Sequence, residues 1–340
     1  MPLRHVWTMD LVTLAAEIKT FHGVTRKRTI SSVVDFFPSI PQDNILAAYG
    51  EDCAVIMHNG SELLLAADGI MEALMKVHPF YAGYFAVLVN IHDVAAMGGI
   101  PLAMVDIVSS KDEKVCAEVM KGMESAVRKF GVPIVGGHTH PDCEYNAIDV
   151  AILGTVEAGN AIFSHTAEPG DDIIMAMDLE GFFPETLPYA WDTTSKKTAE
   201  ECRQQLLLMN KIGKLHLAKS GKDISNPGCL GTLGMLLETS GVGGDVYVDK
   251  IPIPLNEDPV QWMKAYQGCG YVITCDPNNS QKIIDIFEEG GLDAAVVGNV
   301  NDSKKVILKN SMQSVILFDL AVEKITGCDP SKLPSNVKKR

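Results

Sequence analysis

The stretch Asn90-Ile91-His92-Asp93-Val94-Ala95-Ala96-Met97-Gly98-Gly99-Ile100-Pro101 decides how this 340-residue chain folds. Residues from Tyr81 to Met97 have helical length and an almost wholly apolar surface. Asn90, Asp93 and Met97 share one face at the i, i+3, i+7 spacing. Gly98-Gly99 ends the helix, Pro101 bars its continuation, and Leu102 to Val108 reads as a strand. Asn90, His92 and Asp93 interrupt the apolar run, so a buried helix followed by a strand explains it better than a membrane span.

On the N-terminal side, Asp10 to Phe21 is an amphipathic helix with Leu11, Leu14, Ala15 and Ile18 at helical spacing. Gly23-Val24-Thr25-Arg26-Lys27-Arg28 follows it as the densest basic patch. Cys53 to Met57 and Leu63 to Ala67 read as strands joined across turn residues 59–62 into a hairpin. Asp52 comes just before the first strand and Asp68 just after the second. An antiparallel pair brings those two ends side by side, where the carboxylates can meet.

On the C-terminal side, Lys114 to Phe130 is a helix, and Pro133 to Val135 and Ala147 to Val156 are strands. The turn cluster Ala167-Glu168-Pro169-Gly170-Asp171-Asp172 precedes a strand, Ile173 to Met177. We place a domain boundary near 165, giving an N-terminal unit 1–165, a C-terminal unit 166–330 and a flexible tail 331–340. In the second unit, Thr198-Ala199-Glu200-Glu201 is a capping box opening a helix to about Lys219. Leu230 to Thr239 and Ser280 to Glu289 are helices, and Tyr271 to Cys275 is a strand. Ala294 to Val300 is a strand with Val306 to Leu308 as its hairpin partner. The class is α/β (α+β).

Composition removes several functions. With 46% hydrophobic and 21% charged residues, the chain is a folded protein rather than a disordered one. Its net charge of −14 opposes unassisted binding to nucleic acid. The same acidity repels nucleotides unless divalent cations intervene. The 8 cysteines show no C-x-x-C spacing and read as cytosolic thiols. No secretory pattern stands in Met1 to Thr13, so a cytoplasmic location without membrane partners is expected.

Four constellations carry chemistry. Asp52, Asp68 and Asp93 each sit at the boundary of an apolar element, without a Lys or Arg near Asp68 or Asp93 in sequence. Hard carboxylate oxygens with no thiolate or imidazole cluster suit Mg²⁺; turn-starting and backbone-capping roles are the alternative. Val135-Gly136-Gly137-His138-Thr139-His140 suits a phosphate-facing loop, a structural turn, or a zinc half-site through His138 and His140 with Asp142 and Cys143 nearby. Lys222-Asp223-Ile224-Ser225-Asn226-Pro227-Gly228 is a polar loop feeding a glycine-lined helix, which fits an anion site or close packing on a sheet. Arg26-Lys27-Arg28 is either a solvated surface or a mobile basic segment that closes over phosphate.

The order of these pieces resembles the aminoimidazole ribonucleotide (AIR) synthetase superfamily, with its thiamine-monophosphate kinase, selenophosphate synthetase and hydrogenase-maturation branches. The carriers are Gly50-Glu51-Asp52-Cys53-Ala54-Val55, Ala66-Ala67-Asp68-Gly69, the opening stretch, and Gly136-Gly137-His138-Thr139. Pro169-Gly170-Asp171, Asp223-Ile224-Ser225-Asn226-Pro227-Gly228 and Val296-Val297-Gly298-Asn299-Val300 continue the match, which spans roughly residues 10 to 325. The chain is most similar to the group labelled methanogenesis marker protein 2, through Gly23-Val24-Thr25-Arg26-Lys27, the Gly136-to-Pro141 loop and Trp191-Asp192-Thr193-Thr194.

The resemblance implies a two-domain AIR synthase-like fold whose N-terminal sheets pair into a barrel across a homodimer. It further implies ATP and Mg²⁺ as cofactors and transfer of phosphate to an unknown small-molecule acceptor. On it, Asp52, Asp68 and Asp93 are metal ligands, and Asp93, Asp68 and Lys27 act in catalysis. Asn90, Gly136, Gly137, His138, Thr139, Asp223 and Asn226 contact the nucleotide. Two departures weigh on this. The kinase branch has Asp where His138 and Asn226 stand, so fewer metals, another acceptor, or a non-catalytic ATP-binding protein is implied. The selenophosphate branch needs a reactive Cys earlier than Cys53, and none is present.

Overall fold

The computed structural model describes residues 10–37 and 42–332; the expected flexible tail falls almost wholly outside them. The first sheet comprises β1 (Ile45–Ala47), β2 (Ala54–His58), β3 (Ser61–Ile70), β4 (Ile100–Ser109), β5 (Ile134–His140) and β6 (Ala147–Glu157). Their order is β1-β2-β3-β6-β4-β5, antiparallel throughout except for the parallel pair β4 and β5. Helices α4 (Glu72–Val77), α5 (Pro79–Ala96) and α6 (Glu113–Phe130) follow β3 and β4. Side chains at even positions of β3, Leu64 and Ala66, join α5 and α6 in one core, while Leu65 faces outward.

The second sheet contains β7 (Asp172–Met177), β8 (Ser220–Asp223), β9 (Gly243–Tyr247), β10 (Gly270–Cys275), β11 (Asp293–Asn301), β12 (Lys305–Lys309) and β13 (Ser314–Asp319). Its order is β13-β12-β9-β11-β7-β10-β8, so β8 is an edge strand. Helices α8 (Leu208–Lys214), α9 (Gly228–Ser240), α10 (Pro259–Trp262) and α11 (Ser280–Glu289) belong to this half, whereas α7 (Ala199–Leu206) packs on α6 and adds Cys202 and Leu206 to the core of the first sheet. Among the described residues no helix is long and apolar enough to cross a membrane.

Several expectations change. The helices α1 (Leu11–Thr20), α2 (His22–Thr25) and α3 (Ile30–Phe36) precede the first sheet in sequence. Yet Leu11, Leu14, Ala15, Ile18 and Val24 bury themselves in the core of the second. An amphipathic helix follows the nearest open apolar surface, here that of β12 and β13. The unit beginning at residue 1 therefore lends its first segment to the other half. Strand β11 does not pair with β12; β9 lies between them, parallel to β12. The capping box of Thr198 and Glu201 is present, but its helix breaks at Leu207 and resumes as α8, ending before Lys219. Asp68 lies within β3, opposite Val150 of β6, rather than beyond the strand.

Candidate functional site

Three carboxylates converge where the two halves meet. One oxygen each from Asp52, Asp93 and Asp223 lies within 4.8 Å of the others. Asp52 enters β2, Asp93 stands on the last turns of α5, and Asp223 ends β8. The loop bearing Asp52 is fixed by Glu51, which accepts from Ser164 N at 2.7 Å and pairs with His165 Nδ1 at 2.6 Å. Ser164 Oγ donates to Gly50 O at 3.0 Å.

The tight group includes Asp223 in the place expected for Asp68. Asp68 lines the same cleft from β3 and faces Lys27. Burial pushes its carboxyl up, and the Lys27 ammonium opposes that. Burial and the carboxylates Asp223, Asp52 and Asp68 push Asp93 well above the usual range. Burial, then Asp52, pushes Asp223 up to about 8, with Lys222 opposing. Such shifts mark carboxylates short of positive charge.

Lys222 was not singled out by sequence as a partner. Its ammonium donates to Asp52 Oδ1 and, at 3.3 Å, to Gly50 O, and both charged side chains are nearly inaccessible. Burial disfavours its charge, but Asp52 and Glu51 outweigh that and hold it protonated. Asp52 Oδ2 remains buried without a hydrogen bond. An orphaned carboxylate oxygen beside two further carboxylates is a donor set for a hard divalent cation, and the residues fit Mg²⁺.

The basic segment is divided: Lys27 is half-buried, while Arg26 and Arg28 are exposed. A Cβ on Gly23 would lie 2.0 Å from Asn226 O, so only glycine lets α2 seat on the loop after β8. This places Lys27 in the cleft, where burial lowers its pKa against the pull of Asp68. Two cavities flank the carboxylates. The larger is about 700 Å³ and runs past Tyr49, Asp52 and Lys222. The smaller, about 100 Å³, is lined by Arg26, Asn226 and Gln267. Lys27, Asp68, Asp93, Asp223 and Ser225 border both.

Other expected residues are placed differently. Asn90 is fully buried and its amide is occupied by the protein: it accepts from Asp68 N at 3.1 Å and donates to Ala86 O at 2.8 Å and Asp68 O at 3.3 Å. It positions Asp68 instead of facing the cleft. Gly136, Gly137, His138 and Thr139 form part of edge strand β5, not a loop, and line neither cavity. Asp68, Val150, Asp106 and Gly137 are successive partners across the sheet, so Gly137 is three strands away, about 14 Å. A Cβ there would meet Asp106 Oδ1 at 2.2 Å, which gives the glycine a packing role. His138 and His140 stand 4.7 Å apart as a pair, and among the described residues no third ligand gathers with them. Trp191 packs on Trp262 in the core, and Asp192 Oδ1 accepts from Thr194 N and Ser195 N.

The sequence matches the AIR synthase related protein N-terminal domain over residues 50–156 and the corresponding C-terminal domain over 169–309. It is 44% identical over 324 residues to an uncharacterized protein of Methanocaldococcus jannaschii, covering 94% of this chain and 100% of that one. It is 26% identical over 300 residues to thiamine-monophosphate kinase of Pyrococcus horikoshii, covering 83% and 92%. Among solved structures, Thermotoga maritima PurL complexed with ATP superposes with a TM-score of 0.73 at 16% identity, which speaks for the fold. That match covers 92% of this chain, which spans 52% of the PurL chain.

Proposed function

The chain belongs to the AIR synthase-related family, and from that membership we propose that it is a Mg²⁺-dependent enzyme that binds ATP and transfers or activates with its γ-phosphate. The carrying observation is the meeting of Asp52, Asp93 and Asp223, with a buried, unpartnered oxygen on Asp52. The larger cavity, about 700 Å³, has the volume typical of a nucleotide-sized ligand. Asp52, Asp93 and Asp223 hold the metal, with Asp68 beside them. Bound Mg²⁺ supplies the charge neutralisation that a protein of net −14 needs before a triphosphate can approach. Lys27 brings a partly desolvated ammonium to the border of both cavities, where a transferring phosphate would carry its charge.

Lys222 occupies part of the space between the carboxylates as a permanent cation. This supports a site with fewer metal ions than three carboxylates alone would take. A homodimer joined through the outer face of the first sheet belongs to the same reading, since Leu65, Leu102, Val105 and Ile107 stand exposed there.

Calorimetry with Mg²⁺ and a non-hydrolysable ATP analogue tests binding, and ADP release tests turnover. Asp93→Asn is expected to keep its circular dichroism spectrum and lose at least ~100-fold in ADP formation. Wild-type turnover in that variant would remove the assignment. ATP binding with no ADP formed across a panel of acceptors would favour a non-catalytic, nucleotide-sensing role.

A further inference from the structure

The larger cavity has a wall that metal and phosphate leave unused. On the ATP reading its carboxylates and lysines serve those two, and what remains of the lining includes Ile30, Tyr49, Met235, Thr326 and Cys328. Ile30 opens α3, and Thr326 and Cys328 come from the segment after β13. Both segments flank the stretches that carry the shared domains, 50–156 and 169–309. Chain outside the two domains therefore helps to complete the cleft between them.

One side chain holds the segment after β13. Glu238 stands in the last turn of α9 with 4% of its surface exposed. The helix dipole opposes a carboxylate there and burial adds a desolvation cost, so the group persists only where donors compensate it. Four do so. Its Oε1 accepts from Ile325 N at 3.0 Å and Gly327 N at 3.3 Å, while Oε2 accepts from Thr326 N at 2.8 Å and Thr326 Oγ1 at 2.6 Å. Successive backbone N–H groups around one anion form a nest, here closed on a carboxylate of the same chain. Thr326 Oγ1 also accepts from Cys328 N at 3.0 Å, which extends the grip to the second cavity residue.

Close packing carries that grip to both sides of the cleft. Gly327, at φ +75°, has no room for a side chain, since a Cβ there would lie 2.5 Å from Ser31 Cβ on α3. On the other side a Cβ on Gly50 would lie 3.1 Å from Cys328 Cβ, and Gly50 O accepts from Lys222. The clamped segment is thus wedged between α3 and the loop that bears Asp52. We propose that Glu238 is a positioning residue: by clamping residues 325–328 it holds the wall against which the nucleoside part of the nucleotide rests, with Thr326 and Cys328 in contact and Glu238 itself touching no ligand. The inference rests on the ATP reading and adds which part of the cleft takes the base and sugar.

Calorimetry on the full chain with Mg²⁺ compares two probes: the non-hydrolysable ATP analogue, and inorganic tripolyphosphate, which keeps the phosphates and lacks the nucleoside. In Glu238→Gln one oxygen becomes an NH₂ that faces two donors. In Thr326→Val the shape is kept while the hydroxyl bridge from Glu238 to Cys328 is lost. Each variant is expected to bind the analogue about tenfold more weakly, the value of one hydrogen bond to a charged group, and tripolyphosphate to within about twofold of the parent. Thr326→Val decides the matter if Glu238→Gln does not fold. Equal weakening of both probes overturns the proposal, as does unchanged analogue affinity in either folded variant or a parent that binds tripolyphosphate as tightly as the analogue. A parent that binds neither probe removes the ATP reading as well, whereas a parent and variants that bind the analogue equally remove this inference alone.

Discussion

Lys222 and Asp52 form a buried pair between residues 170 positions apart in the chain. Removing one partner of such a pair typically costs about 3–5 kcal/mol, because the other charge is left uncompensated. Lys222→Met should therefore destabilise the metal-free protein by about that amount, and millimolar Mg²⁺ should restore part of it. The loss should deepen with pH. Asp223, pushed up to about 8, favours its protonated form in the fold. Its contribution to stability is complete below the unfolded value near 4 and disappears as pH rises through 8. Denaturant melts in chelator and in Mg²⁺, at pH 5 and pH 8, measure this; a variant as stable as the parent under all four conditions would contradict the pairing. At this scale the sequence disclosed Asp52 and Asp93, because a carboxylate at the edge of an apolar element stands out. It did not disclose Lys222, which sits in a short polar strand.

Among the elements, α5 and β4 were legible to within two residues at each end, since Pro79, Gly98-Gly99 and Pro101 punctuate them strongly. What sequence did not reveal is how closely α5 and α6 approach. A Cβ on Gly122 would lie 1.9 Å from Phe80 O, and one on Gly83 would lie 1.9 Å from Val119 O. Each helix presses backbone to backbone against the other, which aims the Asp93 end of α5 at β8. Gly122→Ala must separate them at a cost of about 1–3 kcal/mol. Because Asp93 rides on α5, Mg²⁺ affinity measured by calorimetry should fall along with Tm; a fall in Tm alone would uncouple the helix packing from the carboxylates. The elements that escaped prediction have a common cause. Strand β9, Gly243–Tyr247, opens with two glycines, and the continuation of β5 beyond the expected Pro133 to Val135 reads Gly-Gly-His-Thr-His, so neither stretch shows apolar alternation. Pairing of β9 with β11 and β12 depends on distant residues, whereas the β2–β3 hairpin is local and its register follows from the Asn59-Gly60 turn.

For the whole molecule, the proposed homodimer rests on the open face of the first sheet. Helices cover one side only, and on the other Leu65 and Leu153 are direct cross-strand partners, with Val105 and Ile107 on the adjacent strand. These side chains are 38–46% exposed, and Val135 on β5 is 66% exposed. A contiguous apolar patch of this kind on a twisted sheet is matched best by a second copy of itself, because two such faces interlock at about 10 Å separation and bury both. A net charge of −14 on each copy works against association, so in the proposed dimer the apolar face would have to outweigh the repulsion, and added salt should tighten it by screening. Light scattering should give twice the chain mass of 36.8 kDa. The double change Val105→Glu and Ile107→Glu places two charges per copy in the seam and should give monomers. Those monomers should keep their three hydrophobic cores, since neither side chain contributes to any of them. If the nucleotide is held within one chain, as Asp52, Asp93 and Asp223 of a single copy suggest, the monomeric variant will still bind the ATP analogue with near-parental affinity. A loss of more than about tenfold would instead mean that the partner completes the cleft, and would bring β5, with His138 and Thr139, back into contention as a contributor from the other copy.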